Sequence, residues 1–318
     1  MRLRLLAAAV LSIGLMCAAD PELLSLAPPD SQVMAGVNVE QVMLSPLGQH
    51  LLMQAEQQSD SGLQKLIDTT GFDPRHDLRE ILVVGRPADS SGIVLARGTF
   101  NVPRIMQAAL ANKGTVESYK GVQIVKGSSQ EKQVIAFPDS TLAIMGEAAD
   151  VHAAIDRKSA PTAVSAALAV QVNLASTTGD AWFVSMVPPA QLQPKQNGNA
   201  GAQNQGLNPL AMLQNVQQLN GNVKFGAYVV VTVKAISPTA QDASVLSDQL
   251  KGLLGMAAMA AGKEQATTPA VALLQKLNIS SDGTTTTASL SIPEQQIEGM
   301  MKMSGPAAVT PPAHGRRR

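Results

Sequence analysis

Short runs of alternating apolar and polar residues fill most of this chain, and turn residues punctuate them. Residues 71–110, GFDPRHDLREILVVGRPADSSGIVLARGTFNVPRIMQAAL, carry the pattern most completely. The segments 81–84 and 93–96 are β-branched and apolar, and the Ala-Asp-Ser-Ser-Gly between them is turn chemistry, so the pair reads as an antiparallel hairpin. Pro103 then fits the first turn of a helix, where a missing donor costs nothing. Ile105, Met106, Ala109 and Leu110 recur at helical spacing behind it.

The same grammar extends along the chain. Residues 31–39 alternate as a half-buried strand. Residues 40–58 read as a helix restarted at Ser45-Pro46, with a polar break at 59–62 and a second short helix over 63–70, capped by Gly71. Strands are predicted at 122–125, 134–137 and 141–145, followed by a helix at 148–157. Residues 160–175 read as a helix and then an irregular connection. A strand at 180–187 leads into Pro188-Pro189. Farther on come an amphipathic helix at 208–219, one or two strands within 223–236, and a long helix over 242–262. The end of another helix at 273–277 precedes a hairpin around Asp282-Gly283, a type I′ signal, and a last helix starts at Pro293.

Val102-Pro103, Val187-Pro188 and Ile292-Pro293 each stand where a predicted strand hands over to a helix. Repeated β-β-α units of this kind predict an α+β fold, with one or more antiparallel sheets and helices packed mainly on one face. The expected organisation is a signal peptide over 1–19, an N-terminal α+β half over 20–190 and an Asn/Gln/Gly-rich flexible loop over 191–207. A C-terminal α+β half over 208–304 packs with the first, and a disordered Pro/Arg tail closes the chain over 305–318.

Composition sharpens the compartment. Arg2 and Arg4 precede an apolar run over 5–16, and Cys17-Ala18-Ala19 offers small residues where a signal peptidase reads them, so cleavage is expected after Ala19. The chain is then exported, to the periplasm or beyond. Lipidation of Cys17 is the rival, disfavoured because Leu15 and Met16 stand where a lipoprotein signal wants small residues. Cys17 is the single cysteine, so its loss leaves no thiol chemistry and no disulfide. No later stretch has the ~18 uninterrupted apolar residues of a membrane span. Without the leader and the terminal three arginines, 19 basic residues face 24 acidic ones, which is no electrostatic footprint for nucleic acid.

Catalytic motifs are missing. There is no G-x-S-x-G elbow and no G-x-G-x-x-G loop. Ala261-Gly262-Lys263 fails as a phosphate loop, with Ala257 at the leading glycine position and Glu264 where Ser or Thr is required. The best cluster for a metal is Asp73, His76 and Asp77, whose bland alternative is a capped, solvated turn. His152 and Asp156 share a helix face at i,i+4, and methionines gather at Met256, Met259, Met300, Met301 and Met303. A couple beside a buried helix face and gap-filling core methionines explain both without a metal. No cofactor is expected.

The strand at 31–39, the stretch 71–110 and the ending SIPEQQIEGMM together resemble exported bacterial α+β proteins with duplicated strand-strand-helix units and no assigned activity. The resemblance implies the fold class and compartment and carries over no functional residues. The leading expectation is a non-catalytic envelope protein with a binding or structural role, whose partner is an envelope protein or an apolar ligand. One alternative is a periplasmic carrier of a lipid or other apolar molecule; another is a hydrolase whose residues converge only in space. The lining of the largest cavity discriminates among them.

Overall fold

The structure is a computed structural model that describes residues 19–87, 91–127, 132–191, 211–263, 273 and 276–303. A short helix, α1 (Pro21–Ser25), leads to β1 (Val33–Asn38), α2 (Val39–Met43) and the long α3 (Pro46–Thr70). One turn of helix, α4 (Pro74–Asp77), introduces β2 (Leu78–Arg86), β3 (Ser91–Gly98) and α5 (Val102–Ala111). Then come β4 (Thr115–Tyr119), β5 (Val122–Lys126), β6 (Gln133–Asp139), β7 (Leu142–Glu147), α6 (Ala148–Ser159) and α7 (Ala166–Thr178). The remainder is β8 (Ala181–Ser185), β9 (Gln218–Lys224), β10 (Tyr228–Ile236), α8 (Ala240–Lys263), β11 (Asn278–Asp282), β12 (Thr285–Pro293) and α9 (Glu294–Met303).

All twelve strands form one antiparallel sheet, ordered β11-β12-β10-β9-β8-β1-β2-β3-β7-β6-β5-β4. The β-β-α grammar is plain in β2-β3-α5, β6-β7-α6, β9-β10-α8 and β11-β12-α9. The two halves share this sheet, because β8 pairs with β1 on one side and β9 on the other.

Successive side chains of a strand point to opposite faces, so the register sorts the sheet. Met34, Leu82, Val84, Leu95, Leu142 and Ile144 point one way and are sealed by α1, α6 and α7 through Leu23, Leu26, Val151, Ile155, Leu168 and Val172. This is the α6 face. The α3 face carries Ala96, Ala143 and Ile135 under α5 in the N-terminal half. In the C-terminal half α8 covers it, Leu246 packing on Ala235 and Thr286 Oγ1 donating to the Ala243 carbonyl. With α3, α5 and α8 here, most of the helical length lies on one face. At and past α7 the α6 face of the sheet turns polar: Asn222, which donates to Thr178 of α7, lies opposite Thr232, both half-buried, and Lys234 opposite Asn220 is exposed.

The β1–β8–β9 seam is built on glycine. A Cβ on Gly36 would lie 2.5 Å from the Trp182 ring, and one on Gly221 would lie 2.3 Å from the ring of Phe183. Each aromatic ring therefore lies flat over a bare stretch of neighbouring strand, one on each face. Asp180 locks the corner: its carboxylate accepts from Lys224 Nζ and the Phe225 N–H, while its carbonyl accepts the Asn38 N–H at 2.7 Å.

Several predicted elements move. The helix does not break at 59–62 but runs through, because Ser and Gly within a helix cost only up to about 1 kcal/mol each. It restarts at Pro46 behind a Ser45 cap, and ends at Gly71 with φ 72°, as expected. The amphipathic helix expected over 208–219 is not formed by its described residues, 211–219. The described part is a short 3-10 turn over Ala211–Leu213 followed by β9, which the ladders of β8 and β10 draw into the sheet despite its Asn and Gly. Within 160–175 the order is reversed, irregular chain first and then α7 from its Ser165 cap. Strand β4 was not foreseen. It pairs with β5 through Lys120 and Gly121, both at positive φ, as a type I′ turn requires. In the last hairpin the two loop residues are Gly283 and Thr284, and only Gly283 has positive φ, the pattern of type II′ rather than I′. Expectations for the leader over 1–18, the loop interior from 192 and the tail lie outside the described residues.

Replacing Gly36 by Ala should cost about 1–3 kcal/mol, since Trp182 has nowhere to retreat within a packed face. Gly252→Ala, whose Cβ meets nothing within 4 Å on α8, should stabilise by up to about 1 kcal/mol. Urea unfolding of the pair checks both signs.

An apolar cleft as candidate functional site

On the α3 face, between the sheet and the helices, lies a cleft of about 380 Å³. Its floor is Leu78, Ile81, Val94, Ala96, Ala143, Met145 and Ile135 from four neighbouring strands. Its walls are Leu66 and Thr70 from the end of α3, Ile105 from α5, and Phe72, Phe100 and Phe137. Three of the chain's five phenylalanines therefore meet at one place: Phe72 stacks on Phe100 at 5.3 Å, and Phe100 tilts against Phe137 at 5.6 Å. Thr70 is the lone polar side chain of the lining, and its hydroxyl already donates to the Leu66 carbonyl. The cleft therefore offers shape and apolar surface, and no directed polar group.

Local sequence explains how the walls are held. The turn at Gly71 ends α3, and Arg104 of α5 donates to the carbonyls of Asp68 and Thr69 at that terminus. A cation on the last carbonyls of a helix satisfies them and complements the dipole. The other end of α3 is tied to the far half: the Leu47 N–H donates at 2.7 Å to the buried Glu294 carboxylate at the start of α9. A helix of 25 residues is about 38 Å long. It thus runs from the C-terminal half to the rim of the cleft.

The cleft is one end of a longer apolar surface. Across the ladders, Leu290, Val231, Val223, Ala181, Val37, Ile81, Ala96 and Ala143 form one cross-strand row on the α3 face. The neighbouring row is Ala288, Val233, Gly221, Phe183, Ala35, Val83, Val94, Met145 and Ile135. Nine strands at about 4.8 Å spacing make this stripe about 38 Å long. A second hollow of about 200 Å³ lies along it, walled by Val37, Phe183, Val223, Val231 and Val233. Burial separates the two faces sharply. Leu82 and Val84 on the α6 face are sealed, whereas Val83 between them is 45% exposed on the α3 face.

A larger hollow, about 550 Å³, opens on the α6 side between α1 and α7. Its lining mixes Pro21, Leu24, Val164 and Val172 with Ser25, Thr162, Asn173 and Ser176, so it is polar in part where the cleft is apolar throughout.

The residues singled out from sequence lie elsewhere. Asp73 caps α4 and chelates its own neighbour, with Arg75 Nε and Nη2 donating to its two oxygens at 2.7 and 2.6 Å. His76 Nδ1 is 3.1 Å from the same carboxylate, and Asp77 accepts the Asp73 N–H at 2.7 Å. Asp73, His76 and Asp77 are thus brought together as a self-satisfied turn, and the described residues hold no group of three metal-ligating side chains. The Arg75 hydrogen bonds hold the Asp73 carboxyl well below the usual carboxylate range, against a smaller opposing effect of burial. His152 stacks on Tyr119 at 4.1 Å, while Asp156 accepts from the Tyr119 hydroxyl and pairs with Lys120. Met256 and Met259 are exposed on α8. Sequence reasoning missed the cleft. Its only legible trace was the closeness of Phe72 and Phe100 to the hairpin, since Phe137 and Met145 arrive through the fold.

Neither a family model nor a curated protein sequence matches this chain. Among solved structures, crystal form III of TP0453 superposes with a TM-score of 0.51 at 8% identity, covering 90% of this chain and 99% of that one. Crystal form IV of the same protein gives 0.50 at 8% identity, over 87% and 96%. The likeness shows a shared fold over nearly the whole of both chains. Among the described residues no helix is long and apolar enough to cross a membrane.

Because the folded pKa of Asp73 is depressed, its contribution to stability is full above the ordinary value near 3.9 and lost as pH falls below it. Asp73→Asn should therefore flatten the acid limb of the stability profile below about pH 4. At neutral pH it should cost up to about 1 kcal/mol, because Asn keeps the cap but turns the charge-assisted hydrogen bonds from Arg75 into weaker ones to a neutral acceptor. Chemical denaturation across that pH range measures both.

Proposed function

We propose that the protein is an exported, non-catalytic carrier that holds a lipid or similar apolar molecule in the cleft of the α3 face. The observation that carries this reading is the lining: about 380 Å³ enclosed by aliphatic and aromatic side chains with a single, already satisfied hydroxyl. Ligand sites fall in this size range and are mostly apolar, and polar groups within them set orientation. With none here, selection rests on hydrocarbon alone.

Energy favours the same reading. A void of this size sealed in a core would cost on the order of 9 kcal/mol, comparable with the whole stability of a domain. The fold does not seal it, and leaves apolar surface for a guest. The stripe supplies length as well. One leaflet of a bilayer's hydrocarbon core is about 15 Å deep, so a 38 Å stripe has room for acyl chains laid along the sheet. The basic start at Arg2 and Arg4, the apolar run and the small residues 17–19 support export, to a compartment where such cargo must cross water. A hydrolase would need titratable groups converging on the cleft, and its lining has none.

Native mass spectrometry of protein purified from its own host should reveal a bound lipid. Ala143→Leu, which fills the floor, should weaken binding of a fluorescent long-chain fatty acid at least about tenfold while leaving the melting temperature equal or higher. Val170→Ser, exposed on α7, should leave binding unchanged. A lipid-free mass together with equal fatty-acid binding by parent and Ala143→Leu would remove the reading.

A further inference from the structure

Asp20 and Glu22, at the head of α1, sit in an ionic cluster on the α6 face. Arg97 donates from Nε to Asp20 at 2.9 Å and from Nη2 to Glu22 at 2.6 Å. Lys158 reaches Glu22 at 3.3 Å and Asp139 at 2.8 Å. The Asp20 N–H donates at 3.1 Å to Glu80 Oε1, and Glu80 is the cross-strand neighbour of Arg97 and, on its other side, of Asn38. Four carboxylates, those of Asp20, Glu22, Glu80 and Asp139, thus face only two cations, Arg97 and Lys158. Both cations are committed to the other three. Glu80 is left with a peptide N–H, a neutral donor, and burial pushes its carboxyl up from the ordinary range.

We infer that this cluster is built for a processed N-terminus: hydrolysis of the Ala19–Asp20 bond creates an α-ammonium on Asp20 that forms the missing ion pair with Glu80. The reaction balances simply. Water adds across the amide, its oxygen leaving with Ala19 as a carboxylate, and the Asp20 nitrogen takes a proton. A membrane-bound signal peptidase is the class of enzyme that supplies the step, and it acts before the chain folds. No atom of the cluster has to move, because the same nitrogen already points at the same oxygen. A charged donor then replaces a neutral one, and charge-assisted hydrogen bonds are roughly twice as strong. Ala19 itself is buried, and its departure merges its site with the adjoining hollow between α1 and α7. The leader is thereby exchanged for a salt bridge that anchors α1 to β2.

The test uses the exported chain. Its intact mass should place Asp20 first. After reductive ¹³C-methylation, NMR titration should show the α-amine titrating about one unit above its ordinary 7.7–8.0, and back within that range in Glu80→Gln. Selective acetylation of the α-amine of the parent protein removes the charge without touching the interior, and should lower the melting temperature by about 2–4 °C. A mature chain that starts elsewhere overturns the inference. So does an amine pKa identical in parent and Glu80→Gln, or a melting temperature indifferent to acetylation.

Discussion

The structure depends on one insertion: β8 between β1 and β9. Without that strand the sheet would be two half-sheets with open edges, each a template for wrong pairing. The insertion succeeds because consecutive residues of β8 fill opposite faces, Trp182 over Gly36 and Phe183 over Gly221. Ordinary side chains at either glycine would push the rings away and open the seam. Asp180, buried at the head of β8, closes the same junction with polar bonds to β1 and to the end of β9. The strands before and after β8 thus behave as one sheet because three successive residues, 180–182, and the next ring are committed to joining them.

Once the sheet is continuous, its faces can differ. On the α6 face, three helices seal the N-terminal strands into a conventional core. On the α3 face, the helices bind mainly to one another and to the ends of the sheet. The main backbone neighbours of α3 are α2, α5 and α9. Its ends are fixed by Glu294 and Arg104. A helix held at its two termini spans this face between its anchors, and Val83 on the same face stays 45% exposed while Leu82 and Val84 on the other are sealed.

Much of the scaffold was legible because its signals are local. The alternation of β2 and β3, the glycine cap at Gly71 and Pro103 in the first turn of α5 each act within a few residues. Strand β9 was misread because its sequence, QLNGNVK, has neither β-branched density nor clean alternation. Its place is set by neighbours on both sides and by Phe183, which needs the bare Gly221. The run through 59–62 was misread for the opposite reason, since propensity alone is too weak to stop a helix fixed at both ends. The cleft was illegible because its walls come from residues between 66 and 145, and aliphatic residues lining a hollow look like aliphatic residues filling a core. Asp73, His76 and Asp77 looked chemical because the sequence shows the charges and hides the fold of the turn, in which Arg75 bonds Asp73 and the Asp73 N–H satisfies Asp77.

The ionic cluster and the cleft occupy opposite sides of the same strands. Glu80 adjoins Ile81, and Arg97 adjoins Ala96, so in each pair one residue belongs to the cluster and the next to the cleft floor. Side chains alternate by residue, and a slip of one position would exchange the two faces. A carboxylate and a guanidinium cannot be moved into an apolar floor without losing their partners, a cost of several kcal/mol for each buried ion. The charges around Asp20 therefore act against the slipped register as much as they stabilise the correct one. The polar side of β2 and β3 is what keeps the opposite side uniformly apolar.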